Sequence, residues 1–431
     1  MVMRSLRLFV CLVFGLILCG NAFSQKDKVE YLPKTKYSLF NEMDKHSDSL
    51  KAARDSVTSA IRDRQKKAKE LKDSAETELR FDVSKIERPA APEEFKSVFY
   101  FPPTPQDLTG TCWAFAGTSF MESEVFRLTG RKIKLSEMHT VYFEYIEKIR
   151  RFVRERGKSA VGQGSEEEAL PRIMKLYGAV PREVFDGLQA DYPHYNHNDL
   201  DDEISKYLNF VNANNFWDED AIISSMQVIL DKYIGRPPST FQFEGREYSP
   251  KQFVAEVLKI NLDDYVEAMS TMRTPFYTYG LYDVGDNWWR DSGYYNLPLD
   301  EWYGVIKNAV QKGYSVSIGG GTAEPGYYGV ENIGVIPDFD IPQKNINQDS
   351  REYRFYRGTT GDNHALHVVG YLQKGDRDWF LIKDSGSGSR KGQLKGYFFF
   401  RDDYIRLKML TFLVHKDAVK DLMDKKNGGS N

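Results

Sequence analysis

Cys112 is the side chain around which this chain can do nucleophilic chemistry. It follows the turn-rich run Thr104-Pro-Gln-Asp-Leu-Thr-Gly-Thr111 and precedes apolar residues at helical spacing, Trp113, Ala116, Phe120 and Val125. That pattern predicts a sulfur at a helix N-terminus, where unpaired backbone N–H groups and the helix dipole favour an anion. A thiolate is an anion, and it is the nucleophilic form of cysteine. Gln106 stands six residues earlier, where its amide N–H can point into the same space. A free cysteine is more commonly a small buried apolar residue, so the assignment needs partners. A thiol nucleophile requires a base and a group that orients the base. Of the seven histidines, His364 and His367 share one predicted strand. The turn Gln373-Lys-Gly-Asp-Arg377 joins that strand to a second, Asp378–Lys383. Such a hairpin brings Asp384 beside the start of the first strand. A carboxylate there can take the proton on one imidazole nitrogen and leave the other to face Cys112.

The elements that must position these groups follow from periodicity. Helices are predicted from Cys112, from Ser136 through Ile149, over Glu166–Tyr177, and over about 198–211, 218–234 and 249–258. A short hairpin, Thr240–Tyr248, interrupts the last group. Strands are predicted at Tyr314–Ile318, His364–Tyr371, Asp378–Lys383, Gly396–Phe400 and Met409–His415. Helices first and strands last is an α+β pattern, with a cleft expected where the halves meet. The run Gly319-Gly-Gly321 lacks the lysine of a phosphate cradle and reads as a turn. His194-x-x-His197 has metal-ligand types but no helix or further ligand beside it, so no metal and no cofactor are expected.

The remaining features bound the protein class. With 431 residues, 41% hydrophobic and 28% charged, the chain can bury a sizeable core. A net charge of −3 gives no basic field for nucleic acid. Arg4 and Arg7 precede the apolar run Leu8–Leu18, and Ala22-Phe-Ser24 offers a cleavage site, so residues 1–24 read as a signal peptide. A lipoprotein box at Leu16–Cys19 is disfavoured by the bulk of Leu18. Export to a periplasmic or extracellular space is therefore expected, with no transmembrane anchor. Cys11 and Cys19 lie inside the leader, so cleavage leaves Cys112 alone, without a disulfide partner. Residues 25–92 read as a helical N-terminal extension or propeptide, with a thin stripe of Leu50, Val57, Ile61 and Leu71 and a boundary at Arg88-Pro-Ala-Ala-Pro92. Residues 93–418 form the main domain, with a helical insertion over about 186–300, and residues 419–431 a flexible tail.

These motifs resemble papain-like cysteine peptidases, and among them the aminopeptidase C and bleomycin hydrolase branch. The block Gln106 to Ala116 resembles the family's Gln-x5-Cys-Trp-Ala-Phe element, and Leu135-Ser-Glu137 its Leu-Ser-Glu-Gln element. Asn363-His-Ala365 and Leu381-Ile-Lys-Asp-Ser385 are similar to the histidine and Leu-Ile-Lys-Asn-Ser blocks. Leu262-Asp-Asp-Tyr265 and Tyr294–Glu301 resemble the filler of that branch. The resemblance implies a two-lobed papain-like fold, with the nucleophile helix in a helical lobe and the histidine in a β-rich lobe. It implies Cys112 and His364 as the reacting pair, Gln106 in the oxyanion hole, and Gln163 and Gly164 lining a substrate pocket. Peptide substrates and a homo-oligomer, a hexamer in this branch, come with it. Two departures stand out: Asp384 replaces the usual asparagine, and Gly386-Ser-Gly-Ser389 replaces a tryptophan that shields the histidine bond, so a wetter site is expected. The tail after Lys416 does not look like the branch's cleft-filling C-terminus. A thiol acyltransferase or amidase, or a weakened peptide-binding relative, remains the alternative.

Overall fold

The computed structural model describes residues 38–77, 82–189, 192–322, 325–420 and 422. The expected signal peptide lies outside the described residues. The chain divides into two compact units, residues 1–79 and 80–431. In the first unit the described residues form one helix, α1 (Ser38–Ala75), continuous because no glycine or proline interrupts it. Its stripe of Leu50, Val57, Ile61 and Leu71 is exposed.

In the second unit the helical half comes first. After the two-residue strand β1 (Lys96–Ser97) come α2 (Cys112–Thr129), α3 (Glu137–Arg154), α4 (Ala169–Tyr177), α5 (Asn198–Ala213) and α6 (Glu219–Tyr233). The hairpin β2 (Phe241–Phe243) and β3 (Arg246–Tyr248) leads to the short helix α7 (Pro250–Gln252), which continues as a π-helical turn, Phe253–Leu258. The helical stretch expected over 186–300 ends there. Residues 265–296 instead supply β4 (Tyr265–Met269), β5 (Tyr279–Gly280) and β6 (Tyr294–Asn296). Then follow α8 (Leu299–Gln311), β7 (Val316–Gly320), β8 (Tyr327–Tyr328), β9 (Ile333–Gly334) and α9 (Gln348–Tyr356). The chain finishes with β10 (His364–Lys374), β11 (Arg377–Lys383), β12 (Tyr397–Arg401), α10 (Asp402–Lys408) and β13 (Met409–His415). The strands other than the β2–β3 hairpin join one sheet in the order β5-β6-β4-β13-β7-β10-β11-β12-β9-β8, and β1 pairs with β10 off that path.

Two cores lie on either side of the central strands. One is helical, with Trp113, Phe120, Met138, Ile149 and Leu170, and reaches the sheet at Ala365 and Leu413. The other packs Trp302, Ile306, Leu366, Val368, Phe380 and Phe398. Alternate residues of a strand face opposite ways, so Ala365 enters the first core and Leu366 the second. Strand β10 is thus the partition between the halves, and His364 stands at its first position.

Three expectations shift. Gly319 and Gly320 belong to β7 and not to a turn. A Cβ on Gly320 would lie 2.5 Å from Lys408 O and 2.7 Å from the Met409 Cα, so glycine is there for close strand approach. The second unit begins before residue 93: Val83 is buried with Phe95, Trp379 and Phe399 in a third cluster. The tail is not loose from 419, because Val419 is buried in the second core; residues 423–431 lie outside the described residues.

Candidate active site

Cys112 is the first residue of α2, so its backbone N–H has no intrahelical partner. The helix is held from behind. On its buried face Ser119 Oγ lies 2.8 Å from His367 Nδ1 of β10 and accepts from Lys383 Nζ of β11 at 2.7 Å. Further along, Glu122 Oε1 accepts from Lys134 Nζ at 2.8 Å and from the Leu135 N–H at 3.0 Å. That gives the Leu135-Ser-Glu137 motif a physical meaning. Ser136 caps α3 by accepting from the His139 N–H at 3.0 Å, and Glu137 pairs with Lys134 at 2.7 Å.

His364 Nε2 lies 2.8 Å from Asp384 Oδ1. Its other nitrogen, Nδ1, is left for Cys112, with which the imidazole also hydrogen-bonds. Burial alone would push the imidazole down. The Asp384 carboxylate, and then Cys112, outweigh burial and hold it well above its ordinary value. Burial likewise pushes Asp384 up, but the His364 charge, the Gly386 N–H and the Tyr327 hydroxyl hold it below the ordinary carboxylate range. The Gly386 N–H reaches Oδ1 at 2.7 Å and Tyr327 Oη donates to Oδ2 at 2.9 Å. Both carboxylate oxygens are satisfied, and Asp384 is only 2% exposed. The wetter site expected from the missing tryptophan is therefore not found. Gly386 lies against the imidazole edge, where a Cβ would sit 3.1 Å from His364 Nε2. Tyr327, stacked on Phe398 with centroids 4.1 Å apart, covers the other oxygen.

Gln106 is clipped to the same loop. Its backbone N–H donates to Ser385 O at 3.0 Å, and Ser385 Oγ donates to its Oε1 at 2.7 Å. Gln106 Nε2 donates to Thr109 O at 2.7 Å, which commits one amide hydrogen and leaves a second. Gln163 and Gly164 stand beside this loop. Gln163 Oε1 accepts from the Gly110 N–H at 2.7 Å, and its carbonyl accepts from Trp113 Nε1 at 2.9 Å. Asp107, with a φ of 50°, turns its carboxylate onto the Tyr195 N–H at 3.1 Å. The acidic loop around His194 and His197 is thus a brace for the nucleophile loop. His194 is exposed and lies 3.4 Å from Asp107, while His197 is buried and pushed down to about 4 by that burial. No group of metal-ligating side chains converges among the described residues.

The structure brings Cys112, His364 and Asp384 together, with Gln106, Gln163 and Gly164 on the adjoining loops. Sequence reasoning missed Tyr327 and the Asp107 brace. Tyr327 lies in a two-residue strand with no period of its own, so nothing local marked it.

No family model matches the sequence, and no curated protein matches it either. The structure is similar to the crystal structure of PepW from Lactobacillus rhamnosis HN001, with a TM-score of 0.58 and 18% identity, over 77% of this chain and 85% of that one. The fold is papain-like. At that identity the likeness speaks for the fold alone, and the chemistry rests on the site.

Proposed function

We propose that the protein is a cysteine peptidase of the aminopeptidase C and bleomycin hydrolase type. The observation that carries the reading is His364 held between the Cys112 sulfur and a buried Asp384. The pair acts as thiolate and imidazolium. The thiolate attacks the carbonyl carbon of a peptide bond. The Cys112 N–H and the free Gln106 amide hydrogen receive the oxyanion, contacts worth about 3 to 4 kcal/mol per donor. His364 gives its proton to the leaving amine, the C–N bond breaks, and a thioester remains. Water then attacks the thioester, His364 takes the water's proton, and the C–S bond breaks to free the acid. The N-terminal leader makes export part of this reading, and the resemblance makes a hexamer its expected assembly. No helix among the described residues is long and apolar enough to cross a membrane.

A thiol-directed epoxide and a panel of fluorogenic aminoacyl amides test the activity. Labelling at Cys112 with hydrolysis, both abolished in Cys112→Ala, is the expected result. Labelling without hydrolysis would move the reading to an acyltransferase, and no labelling would leave a peptide-binding relative. N-terminal sequencing of the exported protein tests cleavage before Gln25, and light scattering tests the hexamer.

A further inference from the structure

A loop from the segment between the two halves reaches the wall beside the nucleophile. Residues 281–293 are held in shape from within by Asn287, which is 4% exposed. Its Nδ2 donates to Tyr282 O at 2.8 Å and to Asp291 O at 3.0 Å. From outside, the Trp288 indole N–H reaches Glu144 Oε1 at 2.6 Å and Ser165 Oγ at 3.2 Å. Tyr282 Oη donates to Asp362 Oδ2 at 2.7 Å, two residues before His364. The loop is therefore a fixed structure, and Asp286 is carried on it. Asp286 is exposed, and its carboxylate lies against Gly164, where a Cβ would collide with both oxygens.

Gly164 follows Gln163, which holds Gly110 and Trp113 on either side of Cys112. The wall next to the sulfur thus ends in a carboxylate. Nothing neutralises that carboxylate by direct contact: the partial burial around it pushes it up from its ordinary value against the field of Lys148, and it accepts no hydrogen bond among the described residues. Lys148 is committed elsewhere, donating to Gly162 O at 2.7 Å and to Gly164 O. Burial, and then the charge of neighbouring carboxyls including Asp286, pushes Asp362 and Glu166 up from the ordinary carboxylate range. A peptide whose acyl half lies along Gly164 on its way to Cys112 meets a positioned anion with unused lone pairs.

We propose that Asp286 is a specificity residue of this site. It binds an alkylammonium on the acyl side of the scissile bond, supplied by the substrate's own amino terminus or by a lysine side chain. The chemistry is a charge-assisted hydrogen bond, and one such contact at a partly solvated site corresponds to about tenfold in affinity. The inference rests on the peptidase reading for its meaning, and the test separates the two.

The full chain is given four dipeptidyl fluorogenic amides: Ala-Ala with a free amino terminus, acetyl-Ala-Ala, acetyl-Lys-Ala and acetyl-norleucyl-Ala. In parallel, calorimetry measures binding of the matching non-fluorogenic peptides to Cys112→Ala. The expected result is a preference of about tenfold for the cationic member of a pair, in kcat/KM and in Kd. Asp286→Asn abolishes that preference and Asp286→Glu keeps it, at thermal midpoints that show both variants folded. Preference for free over acetylated Ala-Ala assigns the amino terminus; preference for lysine over norleucine assigns the side chain. A wild-type protein indifferent to charge in both readouts, or a preference that survives Asp286→Asn, overturns the proposal. Charge-dependent binding that Asp286→Asn removes, with no hydrolysis by the wild type, keeps the proposal and removes the peptidase reading.

Discussion

Asp384 sits where a neutral amide is usual in the family that this sequence resembles, and the structure shows what a charge there requires. Each of its oxygens is matched by a donor: His364 and the Gly386 N–H on one, Tyr327 on the other. The His364 imidazole is held up by that carboxylate against its own burial. Asp384→Asn removes the main raising influence, so the imidazolium loses its proton at lower pH. The alkaline limb of a pH–kcat/KM profile is expected to move to lower pH, and an unmoved limb would refute the carboxylate as the tuning group. The same shifts make the pair a pH-dependent brace. A raised imidazole stabilises the fold below its ordinary value and loses that contribution as pH rises through its folded value. A depressed carboxyl stabilises above its ordinary value and loses that as pH falls through its folded value. Tyr327→Phe leaves Asp384 Oδ2 buried without its donor, a cost of about 1 to 3 kcal/mol. Urea unfolding of that variant at neutral pH checks the size, and a midpoint equal to wild type would mean that water replaces the hydroxyl. Cys112, His364 and Asp384 were legible in the sequence because each lies in a short motif with a fixed offset from a helix start or a strand end. Tyr327 was not, because its place beside Asp384 depends on where β8 meets β9 and β12.

At the scale of elements, the β2–β3 hairpin and the longer strands from β7 onward were readable, while β4, inside the stretch read as helical, and the shortest strands of the large sheet were not. Met409–His415 forms β13 over the predicted span, and β10 and β11 extend the predicted runs by three residues and one. Strands β5, β6, β8 and β9 have two or three residues each, too few for any alternation, and exist only through pairing with distant partners. The glycine run was misread for a related reason: turn residues and close-approach residues look alike in sequence. In the sheet, Gly320 stands opposite His364 on one side and Met409 on the other. A methyl there meets backbone atoms, which cannot rotate away as a side chain can. Gly320→Ala is expected to destabilise by about 1 to 3 kcal/mol and to lower kcat/KM, since pushing β7 and β13 apart disturbs the edge of β7 that pairs with His364. The measurement is a denaturation midpoint beside a rate of Cys112 labelling. A variant as stable as wild type would show that β13 can retreat at no cost.

At the scale of the whole molecule, the question is what the first unit contributes. Every group of the candidate site, and each of the three main clusters of buried apolar residues, comes from residue 83 onward. The composition change at Arg88–Pro92 is real in the sequence, yet Val83, upstream of it, is already buried in the third cluster. The boundary in the fold therefore precedes the boundary in composition: Val83 is buried, and within the proline-rich stretch Pro89 is buried as well. Helix α1 carries a thin, exposed apolar stripe. Such a helix draws its stability from propensity and local charge pairs more than from burial. Deleting residues 1–79 is accordingly expected to leave the thermal midpoint within about 2 °C and to reduce the helical circular dichroism signal. The rate of Cys112 labelling then tells two roles apart. An unchanged rate identifies residues 25–79 as a tether or spacer, and a faster one identifies them as a propeptide restraining the nucleophile. A collapse of the midpoint would show instead that the second unit needs the first to fold.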